Sequence, residues 1–222
     1  MGKPELIIIG ASEHAKVVID IFEKSGSYKL IGLIDTFKPI GFEVADHYVL
    51  GDENSIPALL HQYPDLHYFI AIGDNWVRAQ VYEKIQLLFP DLPLATAIHP
   101  SAQIAKHVRI GTGTAIMAGA IVNSDTTIGI GCIINTKASI DHDGNMGNFS
   151  SLAPGATLGG KVQVGNYTAI SIGAIIKHSI TIGEHSVIGA GALVLKDVNS
   201  CCVAYGTPAV AVRTRTIGEP YL

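Results

Sequence analysis

Residues 110–147 read IGTGTAIMAGAIVNSDTTIGIGCIINTKASIDHDGNMG, with an aliphatic residue or methionine at every sixth position. Extended both ways, the series is Ile98, Ile104, Ile110, Ile116, Val122, Ile128, Ile134, Ile140, Met146, Leu152, Leu158, Val164, Ile170, Ile176, Ile182, Ile188 and Val194, and it stops at Ser200. Two places earlier the side chains are mostly small, as at Ala102, Thr114, Ala120, Thr126, Cys132, Ala138, Ser150, Ala156 and Thr168. A second period lies over the first, because Ile110-Gly111, Ile128-Gly129, Met146-Gly147, Val164-Gly165 and Ile182-Gly183 recur every 18 residues. Neither an α-helix nor a sandwich strand repeats at six. The period predicts a triangular coil with three flat faces, one aliphatic residue per face turned inward and small residues at the corners. Successive coils should stack about 4.8 Å apart and hydrogen-bond as parallel strands.

Such a coil sorts outward residues into columns. His142, Gly160 and His178 share one column, and Asp125, Asp143, Lys161 and Ser179 form the next. Asp125 and Asp143 are therefore expected as neighbours on adjacent coils, with Lys161 beyond Asp143. Close carboxylates raise one pKa and an ammonium lowers it, so a solvated ladder of ion pairs is the simplest expectation for Lys161. Cys132 falls at a small-residue position, which argues against a nucleophile.

Upstream the pattern changes to alternating strand and helix. Glu5–Gly10, Tyr28–Ile34 and His67–Ile72 are short apolar runs closing at Gly10, Asp35 and Gly73. Residues 15–24, 56–63 and 75–89 carry helical spacing, the last with Val77, Val81, Ile85 and Leu88 on one face. This alternation predicts a Rossmann-like α/β domain with a parallel sheet over residues 1–94, followed by an all-β coil over 95–222. Ligands of such sheets sit beyond the carboxyl ends of the strands, here Gly10-Ala11-Ser12-Glu13-His14, Asp35 and Gly73-Asp74-Asn75. The first is a glycine turn feeding a helix N-terminus, whose free amides attract phosphate. G-x-G-x-x-G is missing, so a dinucleotide is not favoured.

Composition narrows the function. A formal net charge of −4 with dispersed Lys and Arg argues against nucleic-acid binding. No apolar run reaches the roughly 18 residues of a membrane-spanning helix, and the N-terminus has no signal-peptide pattern, so no membrane insertion is expected. Cys132, Cys201 and Cys202 form no disulfide framework, which suits a reducing, cytoplasmic setting.

Taken together, the Gly10-Ala11-Ser12 turn, the hexapeptide coil carrying Asp141-His142-Asp143 and the segment Tyr205-Gly206-Thr207-Pro208-Ala209 resemble the sugar acyltransferases of the PglD and NeuD type. The resemblance covers nearly the whole chain. It implies a left-handed parallel β-helix, a homotrimer with sites between neighbouring coils, and acetyl-CoA as cosubstrate without a metal. It also implies His142 as general base beside the acidic Asp143, and Asn135 near the sugar. Gly160, Ile172 and Ala190 would lie along the pantetheine arm, with Gly206 and Pro208 near the adenine. Gly10, Ala11, Ser12, Asp35, Asp74 and Asn75 would form the nucleotide pocket. Three departures stand out. Glu13-His14-Ala15 replaces a glycine-containing turn, Ser151 stands where the family has a second histidine at the acetyl oxygen, and Val210 replaces a basic residue whose role Arg213 or Arg215 could assume.

The activity implied is N-acetylation of the 4-amino group of a nucleotide-linked sugar by direct transfer. O-acetylation of a sialic acid-type hydroxyl and a non-catalytic nucleotide-sugar scaffold are the competing expectations. A hexapeptide-coil carbonic anhydrase needs three histidines on one zinc, whereas His142 and His178 lie two coils, about 10 Å, apart.

Overall fold

The computed structural model describes residues 2–221. Its first part is a five-stranded sheet built from Glu5–Ile9 (β1), Lys29–Ile34 (β2), Glu43–Val44 (β3), His47–Gly51 (β4) and Leu66–Ile70 (β5), in the order β3-β4-β2-β1-β5. All pairings are parallel except β3 with β4. That hairpin occupies a stretch that reads as loop from composition, because Gly41 and the polar Ala45-Asp46 turn hide a strand of only five residues.

The expected helices form at Glu13–Ser25 (α1), Ile56–Gln62 (α2) and Asn75–Leu88 (α3). Ala15, Val18, Ile19, Ile21 and Phe22 are the buried stripe of α1, and Gly26 ends it at φ 61°, returning its N–H to Phe22 O at 3.0 Å. A left-handed residue after a helix is where glycine avoids a Cβ clash. Alternation in β1 divides the core: Leu6 and Ile8 face α1, while Ile7 and Ile9 pack with Ile56 and Ile85 of the other two helices.

The second part holds seventeen two-residue strands, from Ala97–Ile98 to Leu193–Val194, on the three faces of a parallel β-helix. Each strand pairs with the one 18 residues on, as Ile134 with Leu152 and Leu152 with Ile170. The inward series is buried from Ile116 to Val194. Ile104, on the first coil, is 37% exposed because no coil lies beneath it.

The small residues do more than fit corners. Thr114, Thr126, Cys132, Ser150, Thr168 and Ser186 are buried and point inward. Thr114 donates to Gly129 O at 2.9 Å, Thr126 to Asp141 O at 3.1 Å and Thr168 to Gly183 O at 2.7 Å. Each hydroxyl satisfies a corner carbonyl that the ladder leaves unpaired, which would otherwise be costly to bury. Gly147 O accepts from Ser150 Oγ at 2.6 Å, with the Cys132 thiol beside it at 3.1 Å, and burial pushes that thiol's pKa up. The thiol is thus a packing group rather than a nucleophile.

The two parts meet along α1 and α3. Small Ala97 and Ala115 let α1 lie directly on one face of the coil. The α3 face differs from the expected one: Asn75, Arg78, Ala79 and Ile85 are buried, whereas Val77 and Leu88 are exposed. The reason is polar. Arg78 donates to Gly131 O at 2.7 Å, Ile72 O at 2.8 Å, Gly73 O at 2.9 Å and Asn75 Oδ1 at 2.7 Å. Asn75 in turn donates to Thr168 O at 3.2 Å. Beside this pin, Phe149, Tyr167 and His185 stack one coil apart, with centroids at 6.0 and 4.5 Å, and Trp76 meets Tyr167 edge-on.

Arg78→Leu should strand several buried carbonyls at once and destabilise the fold by about 3 kcal/mol or more. Chemical denaturation compared with wild type reads this directly, and an unchanged midpoint would show that the pin is dispensable.

Candidate functional site

The outward residues collect in three places. The first is a cavity of about 280 Å³ beyond the strand ends of the sheet, lined by Gly10, Ala11, Ser12, Asp35, Phe37, Glu53 and the exposed Val77. Gly10 has φ +104°, and a Cβ there would lie 3.0 Å from Ala71 O, so only glycine permits this turn. Asp35 braces it, accepting from Ala11 N at 2.8 Å and, through its other oxygen, from Phe37 N and Lys38 N at 2.8 and 3.0 Å. Glu53 faces the same space with Lys84 at 2.8 Å, which holds its pKa below the usual carboxylate range. Ser12 caps α1 without a side-chain bond, leaving its hydroxyl uncommitted.

Asp74 and Asn75 do not join this cavity. Asp74 caps α3, accepting from Trp76 N and Val77 N at 2.9 and 3.0 Å. Asn75 is sealed in the seam with Arg78. Both were expected at the nucleotide pocket from their position after β5, but a helix cap and a domain pin use the same residue types.

The second place is a groove of about 400 Å³ along one corner of the coil, lined by Asn135, Ser151, Pro154, Ile172 and Ala190 and closed by His14, Gly73 and Tyr221. The final hairpin, Cys202–Gly206 with Ala209–Thr214, extends the same face, pairing Ala204 with Ile188. Gly206 pairs with Ala209 at the end of this hairpin, and Pro208 lies in its turn. His14 is largely buried beside the groove. Burial first, and the Arg78 charge second, lower its pKa to about 4, so it is neutral at physiological pH. The sequence places His14 at a strand end and leaves Tyr221 unmarked, and nothing local sets either beside residues 135 and 151.

The third place is the next corner, where Asp141, His142, Gly160, Lys161 and His178 border an open space of about 390 Å³. The His142 Nδ1 lies 2.8 Å from Asp143 Oδ2, while its main-chain N–H donates to Asp141 Oδ1 at 2.8 Å. Asp141 is tied back to Asn123 Nδ2 at 3.0 Å. Hydrogen bonding to Asp143 and the charge of Asp141 raise the His142 pKa, opposed by slight desolvation and by Lys161. Asp143 turns toward the imidazole, and Lys161 forms no ion pair among the described residues, so the expected carboxylate–lysine ladder is not formed. With Nδ1 engaged, Nε2 is the free ring nitrogen. It lies over Gly160, where a Cβ would approach it to 2.7 Å. Gly160 thus seats the imidazole.

The groove and the histidine corner are separated by a full face of the prism, roughly 15–20 Å. Within one chain they do not meet. Arg213 and Arg215 are also committed: Arg213 pairs with Glu219 at 2.6 Å, and Arg215 bonds His185 O and Glu219 O. No group of three or more potential metal ligands occurs among the described residues.

Residues 5–85 match the family model of the PglD N-terminal domain. Over 96% of its length the chain is similar to GDP-perosamine N-acetyltransferase of Caulobacter crescentus, solved as a histidine-to-alanine variant with CoA and GDP-perosamine. That structure is 36% identical, is covered to 98% and superposes with a TM-score of 0.88. The acetyltransferase domain of PglB from Neisseria gonorrhoeae, in complex with acetyl coenzyme A, is 30% identical over 95% of this chain and all of that one, with a TM-score of 0.84. The curated UDP-N-acetylbacillosamine N-acetyltransferase of Bacillus subtilis is 37% identical over 111 residues, half of this chain and half of that protein.

Gly160→Ala should push the imidazole off its seat while leaving the coil intact, since Gly160 needs no left-handed backbone. A displacement near 1 Å at a reacting group costs about 10²-fold in rate. Wild-type turnover in a normally folded Gly160→Ala variant would show that ring placement is unimportant.

Proposed function

This chain belongs to the PglD-type sugar acyltransferases, and from that premise we propose that it acetylates the 4-amino group of a nucleotide-linked amino-deoxy sugar with acetyl-CoA. The observation that carries the reading is the exposed Asp143–His142 pair with Nε2 free, set in a coil whose neighbouring corner holds a long groove. Gly10, Ala11, Ser12 and Asp35 receive the nucleotide, Asn135 stands near the sugar, Gly160, Ile172 and Ala190 contact the pantetheine arm, and Gly206 and Pro208 lie near the adenine. Relatives that act on amines in both organisms favour N- over O-acetylation.

The chemistry follows from the geometry. The free amine attacks the thioester carbon, a C–N bond forms, and His142 Nε2 takes the N–H proton. Asp143 keeps Nδ1–H pointed away and stabilises the imidazolium. As the intermediate collapses the C–S bond breaks, and the leaving thiolate recovers the proton from His142. No acyl-enzyme is required, consistent with Cys132 being buried.

Because groove and histidine lie on different corners, a working site needs His142 of one copy beside the groove of another. A closed threefold ring satisfies this for every copy, and a homotrimer is the assembly proposed. No helix of the described residues is long and apolar enough to cross a membrane. All three cysteines are free, which suits work in a reducing cytoplasm.

His142→Ala should remain folded and lose about 10²-fold or more of its turnover. In the wild type, kcat/KM should rise with pH along a limb set above the ordinary imidazole pKa of about 6.5, since only neutral His142 accepts a proton. Asp143→Asn, which tolerates the left-handed φ of 58° at that position, removes the partner that raises the pKa. Its limb should move to lower pH while the amine's own titration stays fixed. Thiol release measured across pH with a nucleotide 4-amino sugar reads both effects, and an unmoved limb would remove His142 as the base.

A further inference from the structure

Acyl transfer builds negative charge on the thioester oxygen, and a hydrogen-bond donor aimed at that oxygen is worth a large rate factor. His142 and Asp143 supply none, because they manage the amine proton. The donor must come from the groove, and it comes from an unexpected part of the chain.

After the final hairpin the chain turns back. Arg215 bonds His185 O at 3.2 Å and lies over the Tyr221 ring at 5.7 Å from its centroid. Gly218, at φ +77°, fits against Trp76, where a Cβ would stand 2.9 Å from the indole nitrogen. The tail therefore crosses the seam between sheet and coil and lowers Tyr221 into the groove, beside Ser151 and His14. There the phenol oxygen accepts the Asn75 N–H at 3.0 Å, at the N-terminus of α3. Its own proton is directed at Gly73 O over a long 3.4 Å, and the Ser151 hydroxyl lies within hydrogen-bonding reach of the phenol oxygen. A hydroxyl that already accepts a hydrogen bond is a better donor, and this one gives up only a long bond when its proton is redirected into the groove.

The other polar groups in the groove are less suited. Asn135 accepts from Thr136 N at 2.7 Å through Oδ1, and its amide is the group placed near the sugar. Ser151 is shorter. His14 Nε2 is buried without a hydrogen-bond partner, and its neutral ring with a pKa lowered to about 4 is a poor donor to an anion.

We propose that Tyr221 donates its hydroxyl proton in a hydrogen bond to the acyl oxygen of the bound thioester, with Ser151 beside it, so that the C-terminal strap completes the acyl-binding end of the groove. This rests on the acyltransferase reading and on the groove as the donor site. Burial raises the phenol pKa, so Tyr221 stays protonated through the working range.

Tyr221→Phe keeps the ring under Arg215 and removes only the donor. With a nucleotide 4-amino sugar that the wild type turns over, kcat should fall about 10²-fold. KM for the sugar and the dissociation constant of CoA should stay within about twofold, the signature of an interaction made in the transition state. Unchanged kcat, or a loss confined to the sugar KM, would overturn the assignment. Difluorotyrosine at position 221 serves as a second arm if the Phe variant folds poorly. It keeps the shape and strengthens the donor, so kcat should respond to phenol acidity while CoA binding does not. A wild type that releases no thiol with any amino sugar would instead sink the function on which the assignment rests, a different failure from an unaffected Tyr221→Phe.

Discussion

Every outward side chain of the coil owes its position to one constraint, the stacking of two-residue strands at an interval of 18 residues. An aliphatic side chain from each face fills the axis, and buried Thr, Ser and Cys side chains close the corner carbonyls. Such a ladder is rigid and has little freedom to slip, since a shift of one residue would turn the aliphatic series outward. The site therefore needs no dedicated scaffold. Column membership alone sets Gly160 under His142 and Asp143 in the column beside it.

The same constraint explains what could be read from sequence. The coil, its faces and the His142–Gly160–His178 column are arithmetic on a repeat, and the coordinates follow that arithmetic from Ala97 to Val194. The sheet with α1 and α3 was legible from apolar runs and glycine stops. Long-range polar contacts were not. Asp74 and Asn75 have the composition of a ligand loop, yet one caps a helix and the other pins two substructures together. The buried side of α3 departs from the apolar pattern because Arg78, a charged residue, is its largest buried member and apolar periodicity counts it as solvent-facing. Tyr221 was invisible for a similar reason. Its importance lies in a contact with Asn75, 146 residues away, and no local pattern marks it.

The junction between the two parts carries functional weight as well as stability. Arg78 reads carbonyls from both sides of the seam, the aromatic column Phe149–Tyr167–His185 backs it, and the C-terminal strap is anchored on that column through Arg215. The strand-end cavity and the groove are thereby held in a fixed relation, with His14 and Gly73 at the boundary. A nucleotide at one and a thioester along the other would converge on the space between Asn135 and Tyr221. In the proposed assembly that convergence takes its base from another copy, because His142 lies on a different corner of the same chain.

The central claim is that catalysis requires His142 from one copy and the groove from another, and coexpression of two inactive variants tests it most directly. His142→Ala lacks the base, and Ile172→Arg places a bulky charge in the groove at an exposed position. Randomly mixed assemblies should recover about one quarter of wild-type sites, because half of the corners and half of the grooves remain intact and combine independently. Mixed assemblies with no more activity than either variant alone would mean that base and groove must reside in the same chain, and would contradict the account.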